Sequence, residues 1–76
     1  MKTLCFDFGN TRLKFAVFYD DVFTEEITLP NEELFTIERV LYVHQPQRTI
    51  LSSVINHNPA IETLLAAQTK FHKLSH

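Results

Sequence analysis

An acid, the chain's one glycine, an amide, a hydroxyl and an ammonium fall within eight residues, Asp7-Phe8-Gly9-Asn10-Thr11-Arg12-Leu13-Lys14. The apolar run Leu4-Cys5-Phe6 leads in, and Phe15-Ala16-Val17-Phe18 leads out. A tight bend between two strands with these residues around it can hold a magnesium-bound phosphate. Backbone N–H groups exposed by the bend form an anion nest. The Asp7 carboxylate can hold Mg²⁺, through its water shell because magnesium sheds water reluctantly. Lys14 offsets charge on a terminal phosphate, and Gly9 leaves the main chain bare for close approach. Strict alternation puts Asn10, Arg12 and Lys14 on one face and Thr11 on the other, so Thr11 and Lys14 reach one ligand only through a bulge.

The elements that must carry this bend follow from periodicity. Residues 2–8 alternate as a strand, with Leu4, Phe6 and Phe8 on one face and Thr3, Cys5 and Asp7 on the other. Gly9-Asn10 is a two-residue hairpin signal, since both types tolerate positive φ. Residues 11–19 return, Asp20-Asp21 turns again, and residues 22–29 alternate as an edge strand. There Phe23, Ile27 and Leu29 share one face, with Glu25 breaking it. Asn31 reads as an N-cap, with Glu32 and Glu33 against the positive end of a helix that runs to about Val43. Pro46 ends it. Residues 48–55 form a buried strand, and Asn58-Pro59 starts a second helix whose inner face is Ile61, Leu64, Leu65 and Gln68. Residues 70–76 begin a further strand. The expected class is α/β, in the order β-β-β-α-β-α, with a mixed sheet that is antiparallel first and parallel after.

Composition narrows the function classes. Seventy-six residues allow one small domain, and a hydrophobic content of 45% with seven phenylalanines marks globular sequence. The net charge of −2 and the scattered Lys and Arg argue against a nucleic-acid partner. No apolar run approaches the roughly twenty residues needed to cross a bilayer, and no secretory leader is apparent. Cys5, alone and inside an apolar run, reads as a reduced core residue in a cytoplasmic setting.

The string Asp7-Phe8-Gly9-Asn10-Thr11-Arg12-Leu13-Lys14 resembles the first phosphate motif, D-x-G-N-T-x-x-K, of the type III pantothenate kinases. These belong to the actin-like ATPase superfamily of acetate and sugar kinases, Hsp70 and actin. The β-β-β-α-β-α order is similar to the opening of that superfamily's ribonuclease-H-like domain, and Ile50-Leu51-Ser52-Ser53-Val54 resembles the family's fourth strand. The resemblance implies ATP-dependent phosphorylation of pantothenate, the first step of coenzyme A synthesis. It further implies Mg²⁺, a monovalent cation (K⁺ or NH₄⁺) bound elsewhere, a cytoplasmic setting and a homodimer of the full-length protein. By position, Asp7 would orient Mg-ATP, Gly9, Asn10 and Thr11 would cradle phosphate, and Lys14 would counter its charge. Arg12, at a variable position, joins them as a phosphate-binding residue. Residues 1–76 are then expected to be the N-terminal part of an actin-like ATPase domain. They lack the second domain and the Gly-x-Asp-Arg segment that carries the general base, so the chain alone should not turn over.

Other chemistry-bearing residues read as structural. His72 and His76 stand four apart without helical support or a third ligand. His44 and His57 read as solvated loop residues. Ser52 and Ser53, at the carboxyl end of a parallel strand, read as main-chain caps or substrate lining, with no nucleophile elbow around them. Two other classes stay open: another superfamily kinase or ATP-gated chaperone, and a non-catalytic nucleotide-binding accessory module.

Overall fold

Strand β1 (Lys2–Phe8) forms the middle of a five-stranded sheet in the order β3-β2-β1-β4-β5. The computed structural model describes residues 1–74, so the reading made for His76 lies outside the described residues. Strand β1 pairs antiparallel with β2 (Leu13–Tyr19) and parallel with β4 (Arg48–Ser53). Strand β3 (Val22–Thr28) pairs antiparallel with β2, and β5 (Lys70–Lys73) lies parallel beside β4. The architecture is therefore α/β with a mixed sheet. Helix α1 (Leu34–His44) links β3 to β4, and α2 (Pro59–Gln68) links β4 to β5. Both crossovers step the same way across the sheet, so a common hand puts both helices on one face.

The core records that arrangement. Leu4, Phe6 and Phe8 of β1, Phe15 and Val17 of β2 and Leu51 of β4 pack with Ile37, Val40 and Leu41 of α1 and Ile61 and Leu65 of α2. The Phe6 ring sits 5.6 Å from that of Phe15 and 6.3 Å from that of Phe8. Thr49 is fully buried on the same face. It shares a 2.7 Å hydroxyl–hydroxyl bond with Thr69, whose own hydroxyl donates to the Leu65 carbonyl. The opposite face carries Cys5, Asp7, Lys14, Ala16, Phe18 and Ile50, and among the described residues no helix lies over it. Cys5 is thus half-buried on the open face instead of lying in the core. Burial still pushes its thiol pKa up, against a smaller opposing pull from Arg48.

Several local expectations are corrected. The hairpin at 9–12 is a four-residue loop closed by Gly9 N–H donating to the Arg12 carbonyl at 2.9 Å, and neither Gly9 nor Asn10 takes a positive φ. The left-handed pair is Asp20-Asp21, at φ 50° and 66°, which makes the two-residue turn between β2 and β3. Strand β3 pairs Glu25 with Val17 but Phe23 with Phe18, so Thr24 is an extra residue whose hydroxyl donates to the Val17 carbonyl. This bulge moves Phe23 away from Ile27 and onto the open face, where its ring meets Phe18 at 5.7 Å.

Helix α1 begins two residues later than expected, with Glu33 at the N-cap and no acid in its first turn. Asn31 instead accepts from the Glu33 amide and the Thr36 hydroxyl, pinning the approach to the helix. Asn58 does cap α2, accepting from Ala60 N–H at 3.0 Å. His44 is half-buried at the end of α1 and not a solvated loop residue: its ring packs edge-on to Phe15 at 5.3 Å, and burial lowers its pKa although it stands at a helix C-terminus.

Phe6→Ala would empty the centre of this core, and such a truncation costs about 3–5 kcal/mol. Small domains have little more than that in total. Urea unfolding followed by circular dichroism should show Phe6→Ala largely unfolded without denaturant; Gln68, expected on the inner face of α2 but exposed in the structure, is the control, and Gln68→Ala should keep the parent midpoint.

Candidate functional site

The sheet's alternation delivers Asp7 to the open face, directly opposite Lys14 on β2 and Ser52 on β4. The Lys14 Nζ lies 4.0 Å from Asp7 Oδ2 and 3.7 Å from Glu26 Oε2, so the ammonium is held between two carboxylates. Asp7 remains 54% exposed. Ion pairs of this length and exposure contribute only about 0–1 kcal/mol, so an incoming ligand can reorganise them at small cost. Ser52 shares this face, where Asp7, Lys14, Glu26 and Ser52 rim a shallow depression of about 390 Å³ with an apolar floor.

The bend itself lies at the carboxyl end of β1, the end where open α/β sheets bind ligands. Asn10, Thr11 and Arg12 are exposed, and among the described residues their backbone N–H groups have no backbone acceptor. Gly9 spends its amide inside the loop. A Cβ there would stand 3.3 Å from the Arg12 carbonyl oxygen that closes the loop. The glycine is thus set by close approach and not by a left-handed backbone. Because residues 9–12 leave the strand, alternation restarts at Leu13, and the bulge thought necessary to reconcile Thr11 with Lys14 is not needed. The structure thus gathers the six sequence-selected residues in two adjoining places: Asp7 and Lys14 on the face, Gly9 to Arg12 on the rim. Among the described residues no three His, Cys, Asp or Glu side chains cluster as a direct metal site.

A second polar group at the same sheet end went unseen in the sequence. His57 Nε2 stands 2.7 Å from Glu62 Oε2, and its Nδ1 stands 3.0 Å from Ser53 Oγ. Lys73 Nζ reaches the same Glu62 oxygen at 3.1 Å. A carboxylate only accepts, so Nε2 carries the proton shared with Glu62. The Ser53 hydroxyl also lies 3.0 Å from the Ile55 carbonyl. His57, only 9% exposed, packs edge-on to Phe8 at 5.9 Å, and Val54 N–H donates to the Phe8 carbonyl. The group therefore ties β4, α2 and β5 together at the root of the 9–12 bend. It is a brace, and His57 is not the solvated loop residue its sequence context suggested. The legible signal was the five-residue His57–Glu62 spacing across a helix start.

Compared with family models, curated proteins and solved structures, this chain matches none. No helix among the described residues is long and apolar enough to cross a membrane.

The Glu62 carboxyl titrates below its ordinary value of 4.5, first because His57 hydrogen-bonds it and then because Lys73 does. The folded state then binds fewer protons than the unfolded one in that interval. The stabilisation is whole above pH 4.5 and drains away as pH falls through the lower folded value. Melting temperatures of parent and Glu62→Gln should differ most near neutral pH and converge in acid. Curves that stay parallel across the acid range would show that the brace does not involve an ionised Glu62.

Proposed function

We propose that this chain is the phosphate-binding part of a pantothenate kinase of the type III kind, built on a ribonuclease-H-like half-domain. The observation that carries the reading is the bend: the D-x-G-N-T-x-x-K string spans β1, an exposed four-residue loop and β2, and three loop amides donate to no backbone partner among the described residues. The element order β-β-β-α-β-α, completed by β5, supports the same reading.

Electrostatics assigns each residue a part. Asp7, Lys14 and Glu26 together carry a net charge of −1, which by itself repels a triphosphate. A divalent cation at Asp7 reverses that sign, so nucleotide is bound as its Mg²⁺ complex. The amides of Asn10, Thr11 and Arg12 then receive phosphate oxygens, and the Arg12 side chain stands beside them. Lys14 exchanges a weak contact with Asp7 for one with the terminal phosphate. The catalytic base for the acceptor hydroxyl is assigned to none of residues 1–76, and neither is the K⁺ or NH₄⁺ site. In the full-length protein this part works in a cytoplasmic homodimer with ATP and pantothenate as ligands.

Calorimetric titration of the chain with ATP tests this. Binding is expected with Mg²⁺ present and not with chelator. Asp7→Asn and Lys14→Ala each remove a charged contact worth about 1.5–3 kcal/mol, a loss of roughly ten- to a hundredfold. Binding that ignores Mg²⁺, or that both substitutions leave intact, contradicts the reading.

A further inference from the structure

On the far edge of the sheet from the brace, β3 has a free side. Leu29 N–H donates to the Leu13 carbonyl at 2.7 Å, and Ile27 and Glu25 stand opposite Phe15 and Val17. Antiparallel pairing alternates, so Glu25, Ile27 and Leu29 turn their backbone groups toward β2, while Glu26 and Thr28 turn theirs outward. Among the described residues no strand pairs with that edge. Beside it, Phe35, Arg39 and Val43 form a stripe along α1, each four residues from the next. A largely apolar groove of about 400 Å³ runs between this stripe and Ile27 and Leu29. Phe35 and Val43 are 62% and 65% exposed, unusually open for large apolar side chains sharing one helix stripe.

An unpaired strand edge next to an apolar slot is the receptor half of strand addition. Main-chain bonds supply affinity there, and alternate side chains drop into the slot. We propose that the groove between β3 and α1 receives an extended peptide segment of another protein, apolar at alternate positions and basic between them. It pairs with the outward backbone of Glu26 and Thr28 and seats an uncharged side chain between Ile27, Phe35 and Val43.

Charge selects this occupant. Strand β3 carries no base, and Glu26 stands on the open face while Ile27 stands on the groove face, so on an added strand the residue facing Glu26 is lysine or arginine and the residue facing Ile27 is apolar. Glu25 and Glu26 together disfavour a second copy of β3, which would bring two more carboxylates to a short ladder. Arg39 lines the helix wall and has no ion pair among the described residues, so the basic residues belong at the strand side. The bulge at Thr24 breaks the outward row, confining the ladder to the half of β3 that adjoins the groove.

The test is fluorescence anisotropy with a labelled octapeptide alternating valine and lysine, titrated with the intact chain. An N-methylated copy has the same charge but lacks ladder donors, and a glutamate-for-lysine copy reverses the charge. A saturable rise is expected for the first peptide only. Val43→Ser, an exposed-site change that adds no charge and is checked for folding by circular dichroism, should weaken binding about tenfold or more, as removal of an interface anchor does. The proposal is overturned by no saturable rise, by equal binding of the N-methylated or glutamate peptide, or by full affinity in Val43→Ser. Sedimentation showing a dimer of the chain that Thr28→Pro dissolves would overturn it too, assigning the edge to a second copy.

Discussion

The burial of three alternate side chains on one strand constrains the rest of this molecule. Leu4, Phe6 and Phe8 are fully or almost fully buried, and the apolar residues of both helices pack into the same core with them. Because a strand repeats every two residues, fixing those three inward fixes Asp7 outward. Because β1 is central, Asp7 acquires neighbours from both sides at once, Lys14 from β2 and Ser52 from β4. The helices cannot cover that group, since both lie on the face that the phenylalanines fill. A charged cluster on the sheet face opposite the core thus follows from where the large residues fall in β1.

Two loops meet at the carboxyl end of the parallel strands, and they are built oppositely. The segment after β4 is cross-linked by Ser53, His57, Glu62 and Lys73, and it grips Phe8 through one ring contact and one backbone bond. Among the described residues the 9–12 bend has a single internal backbone bond and three unspent amides. A rigid root under a bare tip suits anion recognition, because the donors keep their position without being paired to one another. The brace's polar atoms are satisfied within a partly buried setting, where each bond left unmade would be costly.

Much of this fold was legible because strong periodicity and strong punctuation coincided. The alternation of Lys2–Phe8, the Asp20-Asp21 turn and the Asn58-Pro59 helix start all correspond to what forms. In each misreading a local signal is overruled by a contact that residue type alone does not show. Thr24 looked like one more alternating residue, and only its pairing against Val17 and Phe18 makes it a bulge. Asn31 had the chemistry of a cap, but its side chain serves Thr36 while the chain stays extended to Glu33. Gly9-Asn10 had hairpin chemistry, yet the last pair is Phe8 with Leu13, which leaves four residues for the loop. His57 and Lys73 lie sixteen residues apart and share the Glu62 carboxylate only because β5 returns beside β4. The residues selected as a phosphate site were readable from spacing; Glu26, which shares Lys14 with Asp7, was not, because it comes from a strand two places away.

The central claim is that the amides of Asn10, Thr11 and Arg12 are kept free for phosphate oxygens. Backbone amide resonances of the ¹⁵N-labelled chain, followed as Mg-ATP is added, report on those three groups directly. The account predicts saturable downfield shifts at residues 10–12, absent when adenosine replaces ATP. Shifts confined to other parts of the sheet, or of equal size with adenosine, would contradict it.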